Sequence, residues 1–146
     1  MPRLGAQDSS QRNVFADKSN ETTFPFEWSQ GEIIVPISIH GSRPLRFVLD
    51  SGSTRTLVDR KVAASLGIKE GEESSLQGAG KGRVPIHALQ NIDLQMPGLE
   101  SKGYDCFSVD LVPVGEAVGT REDGILGYNF FARFVITIDF EARQMT

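Results

Sequence analysis

The residues best suited to chemistry stand at the end of an apolar run, where residues 47–49 (Phe-Val-Leu) lead into Asp50. Residues 51–53 (Ser-Gly-Ser) have the composition of a tight turn. An aspartate held at a strand end can act as a general acid or base if a partner group shares the proton. Much later in the chain, residues 125–127 (Ile-Leu-Gly) form a second short apolar motif. Alone, Asp50 would be an ordinary turn residue, and the later motif favours a catalytic role.

Other chemistries fit these residues poorly. Ser51 lacks the nucleophile-elbow pattern of a serine hydrolase, because Leu49 stands two residues before it. A phosphatase with an aspartyl nucleophile would need a second acid where Gly52 stands. Lys81 is followed by Gly82 rather than Ser or Thr, so the glycine-rich segment there is not a phosphate loop.

Composition narrows the function classes further. The net charge is -4, from 15 basic and 19 acidic residues without a basic block, so a nucleic-acid surface is not expected. No apolar run reaches the length of a membrane span. No spacing of His, Cys and Asp predicts a metal, and no cofactor is expected. Cys106, the single cysteine, is predicted to be a core residue. Without a signal-peptide pattern, the expected compartment is cytoplasmic, or periplasmic if an export signal was removed.

The elements that would position these residues are mostly short strands. Residues 1–23 are polar and read as a disordered arm or linker, and residues 24–146 as one domain. Alternating and β-branched residues predict many strands, among them 33–39, which Pro36 marks as an edge strand, and a final strand over 135–140. The other predictions are a helix over 60–66 that Asp59 caps, a short helix ending near residue 134, and a return strand beginning at 144.

A glycine-rich segment is predicted to form the tip of a long hairpin. Residues 74–77 and 83–89 are strand-like, and residues 78–82 between them contain three glycines. The whole pattern predicts a mainly β domain that forms a small closed barrel with one or two short helices.

Together these motifs resemble those of retropepsin-like aspartic proteases, including the bacterial single-domain aspartyl proteases. In that family an apolar strand ends in Asp-Thr/Ser-Gly, and a later segment of two apolar residues and a glycine passes beside the catalytic loop. The resemblance covers residues 33–146, and residues 124–131 and 136–140 are especially similar to the bacterial group.

The resemblance implies a role for each site residue. Asp50 would be the acid/base, Ser51 would join a hydrogen-bond lattice between two catalytic loops, and Gly52 would let the backbone approach the acid. Ser53 would donate a hydrogen bond to Asp50 and favour its ionised form. The hairpin would be a flap that covers an extended peptide. The residues expected to contact the substrate there are Gly78, Ala79 and Gly80.

Two carboxylates are needed to deprotonate a water and to protonate a peptide carbonyl, but the chain has only one Asp-Ser/Thr-Gly sequence. A homodimer is therefore expected, with one Asp50 from each copy and a peptide or protein as substrate. The alternatives are a non-proteolytic retropepsin-like module for dimerisation or peptide binding, and an unrelated β-barrel interaction domain.

Overall fold

The structure, a computed structural model, describes residues 11–77, 82–113 and 121–146. Strands dominate this part of the chain, and its two α-helices are short. The strands are β1 (Arg12–Phe15), β2 (Phe24–Pro25), β3 (Glu27–Ser29), β4 (Glu32–Ile39), β5 (Leu45–Leu49), β6 (Leu57–Asp59), β7 (Glu73–Gln77), β8 (Arg83–Met96), β9 (Leu99–Val109), β10 (Gly124–Leu126), β11 (Ile138–Asp139) and β12 (Gln144–Met145). The helices are α1 (Arg60–Ser65), α2 (Tyr128–Phe131) and a 3-10 turn at Ala16–Lys18.

Six strands close into a ring through hydrogen bonds in the order β9, β6, β10, β5, β4, β8 and back to β9. The ring confirms the predicted mainly β barrel with short helices. Side chains from every strand of the ring fill its interior, as expected where residues alternate between the two faces of a sheet. The fully buried members of this core include Val35, Ile37, Phe47, Val58, Leu89, Leu94, Tyr104 and Leu126.

Strand β10 separates the two strands that flank Asp50. It runs parallel to β5 and antiparallel to β6, so β5 and β6 are joined by the Asp50 turn without pairing with each other. Gly124 begins β10, and a Cβ atom there would overlap the Phe47 ring. The glycine therefore allows β10 to fit between its neighbours.

A second apolar cluster lies on the opposite face of the barrel wall. Neighbouring residues divide between the two clusters: Leu57 and Ile125 belong to this one, whereas Val58 and Leu126 belong to the interior core. We call it the outer cluster. Its members are Leu57, Ile86, Val109 and Leu111, with the half-buried Leu76, Val84, Phe107 and Ile125 packed against them.

The predicted long hairpin is confirmed by the pairing of β7 with β8, in which Leu76 lies opposite Val84. Both residues pack into the outer cluster, so the hairpin covers this face of the barrel. Gly78, Ala79 and Gly80, the predicted substrate contacts, lie outside the described residues.

Two strand predictions need correction. Pro36 lies inside the sheet, since β4 pairs with β5 along one side and with β3 and β8 along the other. On that second side the pairing with β3 ends at Ile34, and the pairing with β8 starts at Ser38. Pro36 lies between these two paired segments, where the strand needs no backbone N–H donor. The final strand is Ile138–Asp139 rather than 135–140, and it pairs with β12 as the predicted return strand.

The predicted helix after Asp59 is confirmed. The Asp59 Oδ1 atom accepts hydrogen bonds from the backbone N–H groups of Lys61 at 2.9 Å and Val62 at 3.3 Å. Gly67 follows the helix with a φ of +71°, which suits a glycine at a helix end. No helix in the described ranges is long and apolar enough to cross a membrane.

Within the segment predicted as an arm, Arg12–Phe15 forms strand β1 and pairs with β9. The Phe15 ring also contacts the Phe134 ring edge-on, with centroids 6.2 Å apart. Both partners are distant in sequence, so local composition carries no signal of this order. The division of the chain at residue 24 stays a prediction.

Candidate active site

The backbone fixes Asp50 directly beyond β5. Its N–H group donates to the Leu126 carbonyl of β10 at 3.0 Å. In the parallel pairing Val48 lies beside Ile125, and side chains in register point to the same face of a sheet. Because Asp50 is two residues after Val48, it belongs to the face that carries the outer cluster. Its side chain is exposed.

The turn after Asp50 leaves much of the carboxylate free. The Gly52 N–H group donates to Asp50 Oδ1 at 2.9 Å, and the Ser53 N–H group donates to the Asp50 carbonyl at 3.2 Å. A Cβ atom at Gly52 would stand 3.1 Å from Oδ1, so glycine gives the acid a close backbone contact. The second carboxylate oxygen accepts no hydrogen bond from any described residue and remains available to a ligand.

The structure places the two serines differently from each other. The Ser53 hydroxyl donates to the Arg55 carbonyl at 2.7 Å, so the predicted hydrogen bond from Ser53 to Asp50 is wrong for this chain. A hydroxyl has one proton to donate, and here the backbone takes it. Ser51 is exposed at the turn, and its predicted role between two catalytic loops stays a prediction.

Thr56 joins the loop that carries Asp50 to the segment after β10. It is fully buried, accepts a hydrogen bond from the Gly127 N–H group at 3.2 Å and donates to Asn129 Oδ1 at 2.9 Å. The Tyr128 N–H group also donates to the Ser53 carbonyl at 2.7 Å. These bonds hold the loop against the start of α2.

Gly127 is required by close packing at the same junction. A Cβ atom there would overlap the Arg55 carbonyl. Sequence reasoning identified Gly127 but missed Thr56 and Asn129. No local pattern indicated the contact between them. A threonine before an apolar run resembles any strand residue, and Asn129 lies 73 residues further along the chain.

A profile of the family described as Aspartyl protease matches residues 35–130, which contain both the Asp50 turn and β10. The match spans more than half of the chain. The chain belongs to the aspartyl protease family. Comparison with curated protein sequences finds no match.

Solved structures place this aspartyl protease chain among retropepsin-like folds. It is similar to the retroviral protease-like domain of Ddi1 from Leishmania major, with 17% identity and a TM-score of 0.56, covering 79% of this chain and 86% of that one. It is also similar to a retropepsin-like aspartic protease from Rickettsia conorii, with 15% identity and a TM-score of 0.55, covering 93% and 91%. At sequence identities this low, the structural similarity establishes the fold alone.

In the part of this aspartyl protease chain that the structure describes, neither Cys106 nor a metal cluster offers an alternative chemistry. Cys106 is buried in the interior core, and burial, with the neighbouring Asp105 charge adding, raises the pKa of its thiol to about 12. The thiol therefore stays protonated and is a core residue, as predicted. Within the ranges that the structure describes, no group of three His, Cys, Asp or Glu side chains is arranged to hold a metal ion.

Proposed function

We propose that the chain is an aspartic endopeptidase that acts as a homodimer and hydrolyses peptide bonds between two Asp50 carboxylates. The observation that carries the proposal is the position and bonding of Asp50. It directly follows β5, which is paired on both sides within the barrel, and one of its carboxylate oxygens accepts no hydrogen bond from the described residues. Membership of the aspartyl protease family supports this role.

In the proposed reaction the two carboxylates share one proton. The ionised carboxylate takes a proton from a water whose oxygen attacks the peptide carbonyl carbon, and the protonated carboxylate gives its proton to the carbonyl oxygen. The C–N bond then breaks as the amide nitrogen gains a proton and the gem-diol loses one. The pair again holds one proton at the end, so the two carboxylates return to their starting state.

The residues around Asp50 would have supporting roles. Gly52 donates to one carboxylate oxygen and so fixes its direction. Ser53 acts indirectly, since its hydroxyl bonds the Arg55 carbonyl and holds the turn. We propose that Ser51 bonds across to the second copy and that Gly78, Ala79 and Gly80 contact the peptide backbone.

A second copy is needed because one chain supplies one such acid. An isologous contact around Asp50 would place the two carboxylates next to each other across the twofold axis. The exposed Tyr128 side chain (57% accessible) supports a contact in this region, because its backbone N–H group bonds the catalytic loop. Exposed aromatic residues are common at protein interfaces.

The test is cleavage of a diverse peptide library between about pH 3 and 7 by wild type and by Asp50→Asn. We expect cleavage by wild type and a loss of roughly a thousandfold or more in the variant. Failure of the variant to lose activity would reject Asp50 as the catalytic acid. A folded dimer that cuts nothing would favour the alternative, a non-proteolytic dimerisation or peptide-binding module.

Mixing the two proteins tests the shared site. If both copies must supply Asp50, an equal mixture of wild type and Asp50→Asn that exchanges subunits should have about a quarter of the activity of wild type at the same total protein concentration. The reason is that an active dimer needs two intact copies. A monomeric enzyme would retain about half. Sedimentation velocity on each protein reports the oligomeric state independently.

A further inference from the structure

Arg55 is an exposed cation on the same face of the barrel wall as Asp50. Its guanidinium lies over the Phe107 ring, 4.7 Å from the centroid. Phe107 stands in register with Leu57, and Leu57 with Ile125, so all three belong to one face. Asp50 belongs to the same face, just beyond the end of β10. Because Phe107 packs against the outer cluster, the Arg55 side chain stacked on it lies at the edge of that cluster.

The Arg55 backbone is held firmly while its charge is left free. The Arg55 carbonyl accepts the Ser53 hydroxyl and packs against Gly127, and the next residue, Thr56, is fully buried. Among the described residues, the Arg55 side chain makes no ion pair and donates no hydrogen bond. Asp105 stands two residues before Phe107 on β9 but does not come within ion-pair distance of Arg55.

A fixed and unpaired guanidinium is well suited to receive a carboxylate. Stacking on an aromatic ring limits the directions that the group can take, and its five N–H donors match a carboxylate in bidentate fashion. The chain as a whole is acidic, with a net charge of -4, so a free cation beside the candidate site is not explained by a generally basic surface.

We propose that Arg55 is a specificity-determining residue that selects peptide substrates with an acidic side chain close to an apolar one. The apolar side chain would pack on the exposed parts of Leu76, Phe107 and Ile125 of the outer cluster. The inference rests on the proposed function, because it concerns the cleft that the peptide would occupy.

The test uses dodecapeptides with Leu or Phe at the two central positions and Glu, Gln or Lys at one flanking position at a time. At about pH 5.5 the Glu side chain is mostly ionised. Wild type should cleave the Glu peptide with kcat/KM about tenfold above the Gln peptide at one position. Arg55→Gln should lose this preference, Arg55→Glu should prefer Lys, and Arg55→Lys should keep part of the preference for Glu.

Arg83→Gln is the matched control. Arg83 is also exposed and lies on the hairpin, but it precedes Val84 and so faces away from the outer cluster. This variant should select peptides as wild type does. Equal cleavage of the Glu, Gln and Lys peptides by wild type, or an unchanged preference in Arg55→Glu, would overturn the inference.

Binding separates this inference from the proposed function. If no peptide is cleaved, the proposed function fails, and the NMR resonance of the Arg55 Nε–H group decides the remaining question. A shift of that resonance on adding the Glu peptide, but not the Gln peptide, would support acidic recognition by Arg55. No shift with either peptide would reject it.

Discussion

The two ends of β10 place aspartates in opposite environments. Asp123 precedes the strand and Asp59 ends its neighbour β6, and both are buried, with 4% and 7% of their surface accessible. Asp50 lies beyond the other end and is exposed. The buried acids accept backbone N–H groups from other parts of the chain, Arg46 in one case and Leu111 in the other.

The contrast shows how the same residue type acquires two uses. A carboxylate that is buried and accepts backbone hydrogen bonds on both oxygens is committed to holding the fold and is not accessible to a substrate. Asp59 meets that description, whereas Asp50 accepts one hydrogen bond from its own turn. We therefore expect substitutions at the Asp59 end to affect stability and those at Asp50 to affect chemistry.

Asp59→Ala should have the largest effect on stability. The change removes the cap of α1 and leaves the Leu111 N–H group without an acceptor, which together should cost about 3 kcal/mol. Urea unfolding measures the change. The exposed Asp105 is the control, and Asp105→Ala should cost less than about 0.5 kcal/mol. Equal effects at the two positions would remove the distinction between buried and exposed acids.

Thr56→Val should have an intermediate effect, at the Asp50 end. The shapes match, but the Gly127 N–H group and the Asn129 amide each lose a buried partner, at a cost of about 2 kcal/mol. Hydrogen exchange at the Gly127 amide should accelerate. Thr54→Val, at an exposed position in the same loop, should change neither the free energy of unfolding nor the exchange rate of the Gly127 amide. Unaltered exchange at Gly127 in Thr56→Val would mean that backbone contacts alone hold the loop.

Glu70→Gln should have a smaller, pH-dependent effect near the Asp59 end. Hydrogen bonds from Arg60, and then from Ser108, lower the pKa of Glu70 from 4.5 to about 2. A lowered pKa stabilises the folded state above pH 4.5, and this stabilisation is lost as the pH falls towards 2.

The variant should therefore unfold about 3 °C below wild type near pH 6, and the gap should narrow between pH 4.5 and 2. Thermal melts across this range measure it. Glu72 supplies the control, because its exposed side chain makes no hydrogen bond or ion pair with described residues, so Glu72→Gln should show no such pH dependence. A gap that stays constant down to pH 2 would contradict the assigned ion pair.

Sequence patterns predicted the features that depend on local order. The strand before Asp50, the cap at Asp59 and the β7–β8 hairpin each rest on residues that are neighbours in the chain. The motif at residues 125–127 was also identified, because two apolar residues before a glycine resemble the family pattern when they follow an Asp-Ser-Gly turn and a glycine-rich hairpin.

The contacts that were missed join distant parts of the chain. Strand β1 is ordered by β9, Pro36 is accommodated by the ends of two other strands, and Thr56 bonds Asn129. The direction of the Ser53 hydroxyl was also wrong, since either Asp50 or the Arg55 carbonyl suits a donor. Sequence gives the residue types at such junctions, and three-dimensional packing selects the partner.

Asp50→Asn should have the smallest effect on stability of the four substitutions. The Asn Oδ1 atom can still accept the Gly52 N–H group, and the exposed side chain has no other described partner, so the free energy of unfolding should change by less than about 0.5 kcal/mol. Urea unfolding at several protein concentrations measures the change in the monomer and in the dimer.

In the proposed dimer, under conditions where both facing carboxylates are charged, the same substitution also removes the repulsion between them. Any effect that depends on protein concentration should therefore stabilise the variant dimer relative to wild type. A destabilisation of more than about 1 kcal/mol would instead group Asp50 with Asp59 as a structural acid. Asp50 is a candidate for chemistry because the fold does not need its carboxylate for stability. That result would remove this reason.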